Sequence, residues 1–267
     1  MRTRSTTPAR EAGPVLLVVA HGSRDPRHAE TVRALVARVR GQRPGQRVET
    51  SFLDFDAPDP ATVLERLAAE GAGHVIALPL LLTRAFHARS DIPAVLAAAG
   101  ARLPGLRIRQ AGVLGPSPLL FAAAERRLAA AGAGFERAER ARTGVVLAAA
   151  GTSDPGARAV IEAAAADWRG RAGWAAVTVA YASAAGPRVE DAVRELRTRP
   201  GVARVAVSPY VLAPGRLPDR IAAGAREAGA EALAEVLGAA PELAALLLTR
   251  FDAAAAPRRV PVPALAG

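Results

Sequence analysis

Three side chains in the first half of the chain have the types and spacing to do chemistry: His21, Asp54 and His87. His21 follows a continuous apolar run in Val-Leu-Leu-Val-Val-Ala-His-Gly-Ser-Arg-Asp-Pro, residues 15–26. A short apolar run ended by small residues is the pattern of a buried parallel strand. Asp54 ends a second strand-like run in Phe52-Leu53-Asp54, and His87 lies in the loop after a third run that ends near Pro79. In a parallel sheet all three fall at the carboxyl edge, where open α/β sheets bind their ligands. Two imidazoles and a carboxylate suit a divalent first-row metal such as Co2+, Fe2+ or Ni2+. They also suit proton transfer near neutral pH. The same residues have plainer readings: a strand-end histidine satisfied by backbone, an exposed loop histidine, and an aspartate that caps a turn. Arg84 and Arg89 flank His87, where their forks either hold an anionic substrate or are solvated. His28 and His74 read as a helix-face and a strand-entry residue.

The elements that must position these groups alternate strand and helix along the chain, which signals an α/β fold. Strands are expected near 15–20, 48–54, 74–78 and 107–113, with helices near 28–40, 60–70, 91–100 and 117–131. In the second half strands are expected near 145–149, 175–182, 203–208 and 233–237, with helices near 156–168, 188–198, 218–228 and 242–252. Asp25-Pro26 marks the turn after the first strand. Residues 133–143 form a candidate linker whose charges could also extend the preceding helix. The stretches 1–13 and 254–267 read as flexible tails.

The two halves repeat. His21-Gly22-Ser23-Arg24-Asp25-Pro26 matches Ala150-Gly151-Thr152-Ser153-Asp154-Pro155. At the same separation Asp54 meets Ser183 and Pro58 meets Pro187, and one residue wider Pro79 meets Pro209. A fourth match, Leu114-Gly115 with Leu237-Gly238, requires a shorter connection in the second half. Ordered matches of this kind predict two similar lobes from a duplication, 14–135 and 143–253, each with a mainly parallel four-stranded sheet. The scaffold positions persist in the second half. The reactive ones do not: His21 becomes Ala150, Asp54 becomes Ser183, and His87 faces Leu217. The first lobe is therefore expected to carry the chemistry and the second to wall a cleft.

Composition narrows the function classes. The chain has 267 residues and 51% hydrophobic residues, enough for sizeable cores, and no run near the roughly 20 apolar residues of a membrane span. It has no cysteine, which excludes disulfides and thiolate metal sites. The absence of an apolar leader makes cytoplasmic residence the expectation. The formal net charge is +10 and every basic residue is arginine. Without lysine there is neither a Walker phosphate loop nor a Schiff base. The arginines are scattered and aromatics are only 4%, which argues against nucleic acid as a partner. Gly-x-Ser-x-Gly, His-Glu-x-x-His and Gly-x-Gly-x-x-Gly motifs are missing.

The ordered set of Leu-Val-Val-Ala-His-Gly-Ser-Arg-Asp-Pro, Phe52-Leu53-Asp54 with Pro58, and Pro79-Leu80-Leu81-Leu82 with His87 and Asp91-Ile92-Pro93 resembles the sirohydrochlorin chelatases of the CbiX/SirB family. The resemblance spans about residues 15–250 and includes the two-domain form with a degenerate second half. It implies a class II chelatase that inserts Co2+ or Fe2+ into sirohydrochlorin without ATP, towards sirohaem or cobalamin. It implies that His21 and His87 handle metal and accept protons, with Asp54 as a third metal ligand. Asp54 departs from the family's Phe-Leu-Glu. Ser23, Arg24, Arg84 and Arg89 become the candidates for holding the polycarboxylate macrocycle. The divalent ion is then a substrate, no cofactor is permanently bound, and the protein is expected as a monomer or homodimer. The competing readings are a non-catalytic carrier of metal or tetrapyrrole and a solute-binding protein.

Overall fold

The structure is a computed structural model and describes residues 13–83, 91–134, 136–184 and 186–257. The first half contains β1 (Val15–Ala20), α1 (Pro26–Gln42), β2 (Val48–Phe52), α2 (Pro60–Ala69), β3 (His74–Pro79), α3 (Asp91–Arg102), β4 (Arg107–Gln110) and α4 (Pro118–Ala130). A short helix α5 (Arg137–Arg140) leads to β5 (Thr143–Ala149), α6 (Pro155–Ala172), β6 (Ala176–Tyr181), α7 (Val189–Thr198) and β7 (Arg204–Tyr210). The chain continues through α8 (Arg216–Glu227), β8 (Ala232–Leu233) and α9 (Pro241–Ala255).

The strands form two four-stranded sheets, β2-β1-β3-β4 and β6-β5-β7-β8, with every pair parallel. The order is the same in both, so the duplication read from the sequence is a duplication of architecture. The central strands β1 and β5 are buried along their whole length. That is why β1 reads as an unbroken apolar run and β5 as one after Thr143-Gly144: helices cover both faces of a parallel sheet. In each sheet the chain passes from the first strand to one side and then returns to the other. The topological switch point, and the crevice it opens, therefore lies at the carboxyl ends of β1 and β3 and of β5 and β7.

The repeated Asp-Pro is a helix start. The Asp25 carboxylate accepts the Arg27 N–H at 3.0 Å, and Asp154 accepts from Gly156 at 2.8 Å and Ala157 at 3.3 Å. The following proline occupies the first helical turn, where its missing N–H costs nothing. Both helices thus begin earlier than their apolar periodicity suggests. The edge strands, in contrast, are shorter than the sequence predicts. β4 ends at Gln110 and β8 spans only Ala232–Leu233. Each pairs on one side only, and beyond β8 the chain bonds instead to the loop after β7, through Leu237 N–H to Val211 O at 3.0 Å and Gly238 N–H to Leu212 O at 2.8 Å.

The last helices of the two halves are exchanged. α9 packs on α1, β3 and α4, and α4 packs on β7. One hydrophobic core consequently runs through both sheets, joining Leu16, Ile76 and Leu78 to Phe121, Val145, Trp168, Tyr210, Leu247 and Phe251. The outer face of each sheet has its own smaller core. Polar contacts pin the exchanged helix: Arg43 bonds Asp252, and Arg250 donates to the carbonyls of Val113 at 3.0 Å and Leu114 at 2.9 Å. The linker candidate 133–143 does not extend α4. It forms α5, whose Arg140 pairs with Glu125 at 2.9 Å, donates to Gly134 O at 2.8 Å and lies over the Trp174 ring at 5.2 Å. Of the expected tails, residues 1–12 and 258–267 lie outside the described residues, and α9 continues through Ala255.

Candidate functional site

The residue after β1 is His21, half-buried at the switch point. Two loops meet there, 21–25 after β1 and 53–58 after β2. The Asp54 N–H donates to His21 O at 2.9 Å, and the Ser23 N–H donates to the Asp56 carboxylate at 3.1 Å. Asp56 N–H closes back on Asp54 O at 2.8 Å. Gly22, at φ +92°, makes this approach possible, since a Cβ there would stand 1.7 Å from Asp54 O. Only glycine combines that φ with that contact. The second lobe repeats the device: Gly151, at φ +110°, would place a Cβ 2.0 Å from Ser183 O.

Of the residues predicted from sequence, His21, Ser23, Arg24 and Asp54 lie together on these two loops. His21 Nδ1 is 3.3 Å from Gly22 O. Ser23 Oγ accepts the Asp25 N–H at 3.1 Å and so braces the start of α1. Asp54 is exposed, and its carboxylate accepts the Phe55 N–H at 2.8 Å. Arg24 is exposed and sits over the Phe55 ring, its guanidinium carbon 5.3 Å from the centroid. His87, Arg84 and Arg89 lie outside the described residues. Among the described residues no group of three or more His, Asp or Glu side chains is arranged around a metal position.

Three residues join the site that the sequence reading passed over. Phe55 is 51% exposed, and its ring is stacked at 6.5 Å and 30° on that of His21. Asp56 holds the Ser23 amide. His28, read as an ordinary helix-face residue, lies within electrostatic reach of His21, Asp56 and Asp25. Burial pushes its pKa below the usual imidazole value, with the carboxylates of Asp56 and Asp25 opposing that shift. A signal for two of them was present in the repeat: Asp54-Phe55-Asp56 aligns with Ser183-Ala184-Ala185. His74 opens β3, as its strand-entry reading requires.

Across from this corner the strand ends of the two sheets face one another. A cavity of about 250 Å³ between them is lined by residues 80–83 on one side and by residues 149–152 and 210–212 on the other. Its walls are mostly apolar. In the second lobe the position of His21 is Ala150, whose carbonyl accepts the Ser183 hydroxyl at 2.8 Å. A larger cavity, about 510 Å³, lies between α1 and α8 and contains none of the site residues.

Comparison with known proteins places this arrangement. A sirohydrochlorin ferrochelatase of Bacillus subtilis is 29% identical over 206 residues, covering 77% of each chain. A sirohydrochlorin cobaltochelatase of Priestia megaterium is 26% identical over 207 residues, 77% of this chain and 66% of that one. The solved structure of SirB from Bacillus subtilis with Fe3+ superposes with a TM-score of 0.80 at 26% identity, covering 91% of this chain and 96% of that chain. The family model of CbiX matches residues 15–131 and again residues 144–254, one match for each copy of the duplication. The chain belongs to the CbiX family.

Proposed function

We propose that the protein is a sirohydrochlorin chelatase, inserting Co2+ or Fe2+ into the macrocycle without ATP in the pathway to sirohaem or cobalamin. The observation that carries this reading is the placement of His21. It stands at the switch point of the first sheet, on a loop tied to the one that carries Asp54 and Asp56, whereas the same position after β5 is Ala150. Relatives 29% and 26% identical to this chain carry the names of an iron and a cobalt chelatase.

Metal insertion exchanges two pyrrole N–H protons for one divalent ion, which sheds its water as it enters. A neutral imidazole can ligate the ion and then take up a released proton. In this reading His21 and His87 do this work and Asp54, one methylene shorter than the family's Glu, offsets the cationic charge. Asp54 meets Phe55 N–H with one oxygen, which leaves its carboxylate capacity for further partners. Ser23, Arg24, Arg84 and Arg89 hold the macrocycle, the guanidinium forks pairing with its peripheral carboxylates. The metal is substrate and nothing is permanently bound. Among the described residues no helix is long and apolar enough to cross a membrane, and we place the reaction in the cytoplasm, in a monomer or homodimer.

The test is the absorbance change of sirohydrochlorin mixed with Co2+ or Fe2+, with and without protein. Acceleration supports the reading. Binding of macrocycle and metal with no acceleration would make the protein a carrier, and binding of neither would remove the reading altogether.

A further inference from the structure

Phe55 is one of two large hydrophobic side chains exposed among the described residues, and the only one of the two at the site. An isolated exposed apolar residue is unremarkable on a protein surface. Three further features set this one apart. Its backbone is held at φ +63°, a left-handed conformation that is rare for a bulky side chain and is retained where surrounding structure imposes it. Here the neighbours impose it: Phe55 N–H is bound by its own preceding carboxylate, and the next residue, Asp56, is tied to both loops. The ring is consequently presented at a fixed place, within 6.5 Å of the His21 ring and at the open end of β1.

The second lobe supplies an internal control. Ala184, the counterpart of Phe55, has φ +62°. The strained backbone is therefore a property of the duplicated scaffold and does not depend on the phenyl group. The ring accompanies His21 in one lobe and is absent with it from the other. A residue needed only to shape the loop would not follow that division.

We propose that Phe55 binds substrate, offering its ring as an apolar platform for the flat conjugated face of the macrocycle next to the metal-handling residues, with Arg24 turning from the ring to a peripheral carboxylate. This deepens the chelatase reading and rests on it. A flat aromatic ligand stacks on a phenyl ring without needing directional hydrogen bonds. The guanidinium now over that ring lies on an exposed stem that can swing to a carboxylate while keeping its charge.

The experiment measures metal-free sirohydrochlorin binding by its absorbance shift, Co2+ binding separately, and insertion kinetics, for wild type, Phe55→Ala, Phe55→Leu and Phe55→Trp. Alanine is compatible with this backbone, as Ala184 demonstrates, and melting curves check folding. We expect Phe55→Ala and Phe55→Leu to raise the macrocycle Kd and KM by about tenfold, the scale of a lost aromatic contact. Phe55→Trp should keep both, and Co2+ binding should stay at the wild-type level in all three. Unchanged macrocycle affinity in the folded Ala and Leu variants overturns the proposal. So does a loss of Co2+ binding that equals the loss of macrocycle binding, which would mean that the ring only props His21. A wild-type protein that binds the macrocycle through Phe55 without inserting metal would defeat the chelatase reading and leave the platform intact.

Discussion

Gly22 and Gly151 allow one steric insult to be delivered twice, once beside His21, the proposed metal-handling residue, and once beside its counterpart Ala150. In Gly22→Ala the new methyl would meet Asp54 O at 1.7 Å and the Asp54 carbonyl carbon at 2.9 Å. Ordinary non-bonded contacts lie near 3.5–4 Å, so the peptide after Asp54 must retreat by roughly 2 Å. That peptide accepts the Asp56 N–H at Asp54 O and donates its Phe55 N–H to the Asp54 carboxylate, and the peptide before it donates Asp54 N–H to His21 O, so the movement is passed to both loops. In Gly151→Ala the methyl would stand 2.0 Å from Ser183 O and 2.8 Å from its carbon, at a similarly positive φ. A strained φ and an overpacked contact together destabilise by about 2–4 kcal/mol in either variant. For chains of this size that is a fall in Tm of roughly 5–15 °C. Activity should separate the two. Misplacing a catalytic group by about 1 Å can cost about a hundredfold in rate, and only Gly22→Ala displaces His21. The assay is initial rate of metal insertion against sirohydrochlorin and Co2+ concentration, below the melting range, with circular dichroism melts alongside. We expect kcat/KM to fall about a hundredfold in Gly22→Ala and by less than threefold in Gly151→Ala. Equal rates in the two folded variants would refute the assignment of chemistry to the first lobe.

His21→Ala should lower the insertion rate at least about a hundredfold while the protein stays folded, and Ala150→Ser should leave the rate near wild type. Asp54→Ala should show an intermediate loss that widens at low metal concentration, read from rate against Co2+. Apparent affinity for the polyanionic macrocycle should weaken as salt rises, and Arg24→Ala, Arg84→Ala or Arg89→Ala should weaken macrocycle binding more than metal binding in titrations of each. Leu247→Ala, at a fully buried position of the exchanged helix, should cost about 2–5 kcal/mol and shift the melting of both lobes together, followed by tryptophan fluorescence and circular dichroism. Burial lowers the pKa of His28 in the folded protein, as it does for His74. The unfolded chain therefore takes up protons first, and stability should fall as pH drops below about 6.5 until the folded values are passed. Urea midpoints between pH 7.5 and 5 should show that decline, reduced in His28→Gln.

The sequence by itself determined the α/β class, the parallel strands, the duplication and the position of His21 at a strand end. These are local signals. An apolar run such as Val15–Ala20 needs no partner to be read as a buried strand, and the Gly and Asp-Pro positions shared by residues 21–26 and 150–155 record the duplication. The asymmetry between His21 and Ala150 was likewise legible, because the repeat supplies its own reference. Tertiary structure decided the rest. The length of β4 and β8 depends on how far a single neighbour can hold an edge strand, and no periodicity within Arg107–Gln110 records that. The exchange of α4 and α9 was invisible because an amphipathic helix carries an apolar face but not the address of the sheet that face will meet. For the same reason His28 read as an ordinary helix-face residue, and nothing in the strand or helix pattern singled out Phe55 or Asp56. Their convergence on His21 follows from Gly22 folding one loop against the other, a contact between residues far apart in the chain that only the packed sheet brings together.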